Sequence, residues 1–475
     1  DKLFAKAKEE KNQLLWRDRF VQYSTLFAQQ YPTDIRTIKI IAHASDVAYR
    51  HKQFEQTIAL TELMVAKQST RQSTKQSQTL SNEIALVKGH AYFQTKQYLA
   101  AENTYQALIN TKQVTNKAKR EATEGLALAI FYQGSSAAAD NLLAQAINHY
   151  ARISQITPKS ATAASGLFDA IALSMQSEQW LQAIDYIKRF RTLYPSHKQA
   201  NDVTKKLSIA YLNSKQDIAA AKELEKLSSY EESQEYKMAS LLKAAELYQS
   251  NNDIPSAVRS LKKYVKSYPQ PYITNLESMY KLTQLYTQSN ELNKSFFWQR
   301  KILSVDKKTP NTVKNDRTNF IASSAAIALA RHENKRFSAV KLVSPLKKNL
   351  KRKKQSMQAS VNYYARASSY GIAKTATEAT FAIATIYNDF SQALLNSEVP
   401  KHLNADEQEQ YQFLMEDQAF PFEEKAIEFF EVNMMYTKDD IYDQWIAKSQ
   451  QALQGLFPSR YQRQPKIEKY INALH

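Results

Sequence analysis

The chain has 475 residues, too many for one compact core, and its 6 glycines and 12 prolines are too few for the many turns of a β-rich fold. It has no cysteine, which excludes disulfides, thiol catalysis and cysteine-held zinc, and no window approaches the roughly 18 consecutive apolar residues of a membrane span. The formal charge of +18 is uneven: residues 398–443 hold 13 acidic and 3 basic side chains, while residues 1–397 hold 56 basic and 32 acidic. That asymmetry bears on partners and on docking of the acidic segment, not on fold.

Apolar residues make up 43%, and Ala, Leu, Gln, Lys and Glu are abundant, so helix propensity is favourable almost throughout. The expected class is all-α. The opening residues, DKLFAKAKEEKNQLLW, form a charged amphipathic helix. The chain does not begin with Met, which leaves room upstream for an export signal or a lipid anchor.

Going along the chain, FVQYSTLFAQQYPT closes a helix at Pro32, and IAHASDVAYRHKQFEQTIALTELM (41–64) starts a second helix at Phe54. Residues 67–82 are polar and read as a long loop. LVKGHAYFQTKQYLAAENTYQAL (86–108) is the clearest helix pair. Gly89 permits close approach of its two helices, Tyr92 fills the gap, Tyr98 opens the second helix, Ala101 sits at the crossing and Tyr105 packs on the next pair. Residues 126–150 are expected to turn at Gly134, and FDAIALSMQSEQWLQAIDYIKRF (168–190) uses Trp180 and Ala183 before a stop at Pro195.

In the middle of the chain the pattern becomes periodic. Tyr211, Tyr248 and Tyr286 recur at intervals of 37 and 38, each followed nine residues later by a small residue, Ala220, Ala257 or Ser295. Four residues further on stand Leu224, Leu261 and Gln299, and Pro269 ends one of the pairs. A fixed period of this size marks stacked supersecondary units. Residues 304–319 read as a second polar loop, and SAAIALARHENKRFSAVKLV (324–343) as a last pair using Phe337 and Ala339. From about 346 the period breaks into two long helices hinged near Gly371. An acidic module follows, with Pro400, Pro421 and Pro458 as stops and Asn404 and Asp406 as N-cap candidates.

Gly89, Tyr92, Ala101 and Tyr105, with prolines 32, 195 and 269, resemble the tetratricopeptide repeat, a helix pair of about 34 residues. The resemblance implies a right-handed α-solenoid of about eight to ten helix pairs over residues 1–345, followed by linking helices at 346–397 and an acidic helical cap at 398–475. The recurring "aromatic–basic–x–x–x–YP" pattern is similar to periplasmic repeat proteins of Gram-negative bacteria, including outer-membrane assembly lipoproteins and coordinators of the Tol-Pal machine, and the C-terminal part resembles repeat proteins found with motility or TonB-type energy-transducing complexes. That likeness implies a non-catalytic scaffold for envelope proteins in the periplasm.

The inner face of each first helix is the candidate groove. One helix offers Glu83, His90, Phe93 and Gln94, and a second offers Lys205, Leu212 and Asn213. Two further helices offer Glu246 and Gln249, then Glu277, Tyr280 and Gln284. The basic run Lys347, Lys348, Lys351, Arg352, Lys353 and Lys354 is a candidate patch for an anionic partner, set against a helix C-terminus whose dipole favours cations. No aromatics interleave with it, so nucleic acid is the lesser reading.

Catalytic and cofactor signatures are absent: no glycine-rich phosphate loop, HExxH or GxSxG. The histidines are dispersed, including His43, His51, His149, His197, His332, His402 and His475. Asp439, Asp440 and Asp443, with Glu423, Glu424, Glu428 and Glu431, lack the glycine and glutamate of a calcium loop and read as a solvated face. Three alternatives remain: a cytosolic regulator binding peptide and, through its basic run, nucleic acid; an enzyme of the C-terminal module using Asp440 or Asp443; and an inert spacer.

Overall fold

A computed structural model of the chain describes residues 10–65, 75–111 and 113–462. The chain divides into two compact units, Asp1–Leu227 and Ser228–His475. In the first, α1 (Glu10–Gln30) precedes the pairs α2 (Thr37–Arg50)/α3 (Phe54–Val65), α4 (Lys75–Gln94)/α5 (Tyr98–Asn110) and α6 (Asn116–Ala139)/α7 (Leu143–Ile156). The pairs α8 (Ala161–Gln176)/α9 (Trp180–Leu193) and α10 (Ala200–Asn213)/α11 (Asp217–Tyr230) follow, α11 running across the division. The second unit holds α12 (Gln234–Ser250)/α13 (Ile254–Ser267) and α14 (Tyr272–Gln288)/α15 (Leu292–Lys308), then the longer α16 (Asp316–Ala339), α17 (Leu346–Ser368), α18 (Ala373–Leu395) and α19 (Ala405–Met435). It closes with α20 (Gln444–Leu456) and α21 (Pro458–Tyr461). No strand occurs among the described residues, and the fold is an all-α stack of helix pairs.

The turn inside each pair explains the period. Lys52, Lys96, Asn141, Glu178, Lys215, Asn252 and Asn290 all have φ between 56° and 62°, the left-handed region. Each lies just past the end of a first helix. The amide of the following residue reaches back to a carbonyl five residues earlier: Gln97 to Tyr92, Gln216 to Tyr211, Asp253 to Tyr248 and Glu291 to Tyr286. This is the Schellman arrangement, and the repeating tyrosine is the residue whose carbonyl it caps. From Glu178 onward these turns recur at 37, 37 and 38 residues.

A non-glycine residue pays a steric cost in this region, because Cβ crowds the carbonyl. Lys215→Gly is therefore expected to stabilise the chain by about 0.5–1 kcal/mol, the crowding relieved less the extra entropy of glycine when unfolded. Urea unfolding of the two proteins side by side checks the sign, and a lower midpoint for the glycine variant would refute it.

Three residues into each second helix the side chain is small and buried: Ala101, Ala183, Ala220, Ala257 and Ser295 are at most 1% exposed. Consecutive helices can approach closely there, and the large side chains fill the gaps beside the crossing. The tightest contact surrounds Tyr105, whose ring is fully buried between two glycines. A Cβ added to Gly89 in α4 would lie 2.5 Å from Tyr105 Cε1, and one added to Gly125 in α6 would lie 2.6 Å from its Cζ. One tyrosine thus wedges its own pair against the next.

Several local expectations are corrected. Residues 75–82 lie in α4, so only residues 67–74 of the first expected loop remain, and these fall outside the described residues, as do residues 1–9 of the opening helix. The second expected loop shrinks to residues 309–315, because α15 runs to Lys308 and a reciprocal Asn315–Thr318 capping box starts α16 early. Gly134 makes no turn. It lies inside α6, where its missing Cβ leaves room for the Tyr150 ring, and Asn141 makes the turn instead. Phe337 does not open a helix: α16 is continuous through it, with no left-handed residue between, and Phe337 is buried against Phe390.

Pro421 does not stop α19 but lies within it. The one backbone bond it removes is outweighed by packing on α18, where Phe422 meets Phe390 edge to face at 4.7 Å and Phe429 stacks on Tyr387. By contrast, Gly371 (φ +70°) does separate α17 from α18, and Asn404 caps α19 through a reciprocal bond with Glu407. The boundaries expected at 345 and 397 fall immediately before α17 and two residues after α18.

Candidate protein-binding groove

In the second unit the inner faces of α12 and α14 form a cleft of about 270 Å³ lined by Leu242, Lys243, Glu246, Thr274, Glu277 and Lys281. It brings together Glu246 and Glu277, two of the sequence candidates. Gln249 and Gln284 are exposed on the same two helices. Glu246 accepts a bond from Lys243 Nζ at 2.9 Å, one turn away. Glu277 is held by both arms of the Arg317 guanidinium, at 2.6 and 3.0 Å, and that contact pushes the arginine further up. The same guanidinium lies 5.5 Å from the Tyr280 ring centre and 5.4 Å from that of Phe320. The two rings meet edge to face at 6.4 Å.

Tyr280, Arg317 and Phe320 therefore form one aromatic–cation cluster joined to the cleft through Glu277, with Phe320 still 37% exposed. Arg317 is missed in the sequence because it lies in the segment read as loop, and Phe320 because it falls between that loop and the last expected pair. The signal that could have found them is the Asn315-x-x-Thr318 cap, which places both on the first turns of α16.

The first-unit candidates are spread over α4 and α10, which are separated by α6 and α8, and are not gathered into one cleft. Glu83 and Gln94 are exposed. His90 is half-buried, and its Nδ1 lies 2.7 Å from the Tyr105 hydroxyl. Burial pushes the imidazole down and the phenol up, which favours the neutral form of both partners. His90 is thus committed to the tyrosine wedge. Phe93 is half-buried, packed edge to face on Tyr98 and Tyr132, which stack on each other at 5.3 Å. Lys205 and Leu212 are half-buried, and Asn213 is exposed and donates to the Ile209 carbonyl.

A larger cleft in this unit, about 670 Å³, opens at the turn end of α5 and α6, lined by Tyr98, Leu99, Gln133, Leu142 and His149 among others. Beside His149, Arg152 forks onto Glu102 at 2.5 and 2.8 Å.

Five residues of the basic run, Lys347, Lys348, Lys351, Arg352 and Lys354, are exposed along the first turns of α17. The expected helix C-terminus is corrected: the run sits at an N-terminus, where the dipole disfavours cations. Lys353 is corrected as well. It is 5% exposed, donates to the Phe337 and Val340 carbonyls at 3.2 and 3.0 Å and lies 4.1 Å over the Phe337 ring. It caps the end of α16, and burial lowers its pKa.

Asp443 accepts from the Trp445 and Ile446 amides and from the Thr377 hydroxyl, so it caps α20. Among the described residues no three His, Cys, Asp or Glu are grouped to hold a metal ion, and no helix is long and apolar enough to cross a membrane.

Stacked helix pairs joined by a repeated left-handed turn define a helical-repeat architecture. Residues 239–271, most of α12 with α13, match the family described as Tetratricopeptide repeat. Among solved structures it is similar to a tetratricopeptide repeat protein from Parabacteroides merdae, at 11% identity over 59% of this chain and 98% of that one, with a TM-score of 0.22. It is also similar to the C-terminal part of a TPR repeat-containing protein from Cytophaga hutchinsonii, at 15% identity over 57% and 98%, with a TM-score of 0.26. The P58(IPK) TPR domain matches at 11% identity over 95% and 97%, with a TM-score of 0.22. At these TM-scores the likenesses carry no argument about function. No curated protein matches the chain.

Proposed function

We propose that this protein is a non-catalytic scaffold that holds partner proteins on the first-helix face of its repeats, within a bacterial cell-envelope complex in the periplasm. The observation that carries the binding reading is the α12–α14 cleft together with the Tyr280–Arg317–Phe320 cluster held to its Glu277. Leu242 and side chains of both charge signs line it. Such a surface suits an extended or helical peptide with one apolar anchor and flanking charges. The envelope setting is supported by the aromatic–basic–YP pattern of the sequence and by its lack of cysteine. The excess of basic residues before residue 398 would speed encounter with acidic partners at low salt.

In vivo crosslinking and affinity capture of the full chain from its native cells test the proposal. Recovery of envelope proteins, lost when Leu242→Glu and Phe320→Ser are combined, is the expected result. Each change removes an anchor contact, so the loss of affinity should be about tenfold or more. Partners that survive both substitutions would rule out this groove. Capture of nucleic acid, abolished by Lys347→Glu with Lys351→Glu, would move the function to the basic face of α17 and the compartment to the cytoplasm.

A further inference from the structure

A second cleft in the Ser228–His475 unit has no part in the groove. It lies where α15 ends, between the 309–315 segment and the C-terminal turns of α17, and its volume is about 630 Å³. Its lining is polar throughout: Asp306, Lys307, Asn311, Lys314, Asn319, Arg366, Ser369 and Tyr370. Three of these carry positive charge and one negative.

The negative charge is already satisfied. Asp306 is 2% exposed and accepts from four donors. Tyr272 Oη and Lys314 Nζ reach Oδ1 at 3.3 and 3.2 Å. Tyr370 Oη and Arg366 Nη2 reach Oδ2 at 2.5 and 3.4 Å. Burial, reinforced by the bond to Asp306, pushes the Tyr370 phenol up to about 12, so at neutral pH it stays a donor. With its lone pairs taken, the carboxylate has nothing left for an incoming cation.

The cations are not satisfied in the same way. Lys314 and Arg366 are largely withdrawn from water, at 14% and 29% side-chain exposure, yet share a single carboxylate. Arg366 spends Nε on Tyr370 and Nη2 on Asp306 and the Leu303 carbonyl, while its Nη1 enters none of these bonds. Lys307 adds a third charge at the rim, and Asn311, Asn319 and Ser369 add neutral donors. A partly dehydrated pocket with two surplus positive charges and several unspent N–H groups favours a compact dianion.

We propose that this cleft binds a phosphate group, with Arg366 and Lys314 as its inner contacts and Lys307 at the mouth. A carboxylate would leave one charge uncompensated, whereas a phosphate dianion matches both and offers three acceptor oxygens. The chemistry is shared by soluble phosphate monoesters and lipid phosphate, with inorganic phosphate as the probe, and the test separates the two.

Isothermal titration of the full chain with inorganic phosphate, at fixed ionic strength in chloride, should show saturable binding at one site, displaced by glycerol phosphate. Lys307→Glu, on an exposed position, and Lys314→Gln should each weaken it about tenfold or more, the worth of one charge-assisted hydrogen bond. Lys347→Glu with Lys351→Glu, on the basic face of α17, should leave it unchanged. Flotation with phosphatidic acid vesicles then assigns the source. Binding that free phosphate competes away would indicate a lipid headgroup, and no flotation alongside saturable phosphate binding would indicate a soluble ester. Absence of saturable binding would overturn the proposal. So would a Lys307→Glu variant that binds as the parent does, or an equal loss in the α17 pair, which would show general attraction to a basic surface.

Discussion

Replacing Tyr105 with alanine is expected to destabilise the α4–α7 region by about 3–5 kcal/mol, the usual cost of emptying a fully buried aromatic site. The ring fills the space left by two glycines on two different helices, so nothing nearby can collapse into the void. His90 Nδ1 would also lose its hydrogen-bond partner. Unfolding of a chain with two units need not be all-or-none, so amide hydrogen exchange resolved by helix is the appropriate measurement. Protection should fall in α4, α5, α6 and α7 and be unchanged in α14–α16. Parental protection in α4–α7 would refute the wedge.

The glycines supply the cross-check. Gly125→Ala gains helix propensity of about 1 kcal/mol, but its methyl would meet a trapped ring at 2.6 Å, an overpacking cost of about 1–3 kcal/mol. Alone it should be neutral to destabilising. Combined with Tyr105→Ala, it should recover stability, because the methyl then enters the vacated space. A coupling near zero in that double-mutant cycle would show that ring and glycine do not share the site.

Asp306→Ala is the second large expected effect, about 3–5 kcal/mol in the α15–α17 region, because it strands Lys314, Arg366 and two phenols beside an apolar methyl. Partial exposure of the two cations lets solvent screen part of this, so the lower end is expected. Asp306→Asn should fall between parent and alanine, since the amide keeps one acceptor oxygen but turns an NH₂ toward donors. Raising ionic strength should shrink the alanine deficit by screening the unpaired cations. Thermal unfolding at low and high salt reads this directly. A salt-independent deficit would mean lost packing, not lost charge balance, dominates.

Much of the repeat was legible because its determinants are local. Tyr211, Tyr248 and Tyr286 recur since each receives the 6→1 bond of a turn only five residues on, and Ala220, Ala257 and Ser295 recur since each is the crossing point of adjacent helices. Glu246 and Glu277 fell in one cleft for the same reason: a known register predicts which side of a helix faces inward.

Where the determinants are distant, local sequence does not reveal them. The Arg317–Glu277 fork spans 40 residues, and the Asp306–Tyr370 bond spans 64. Lys353 reads as one more cation in a solvated run, and only the phase of α17 against α16 turns it inward. Pro421 reads as a stop, and only the aromatic packing of α18 on α19 overrides it.

By itself, then, the sequence determined the all-α class, the pair as the unit of construction and the spacing of its turns, all set by interactions within about 37 residues. The tertiary structure alone decided which side chains rim the groove, which cation is buried and where surplus positive charge collects. Those outcomes depend on how separate helices are phased and how much water their packing excludes, quantities that no single helix encodes.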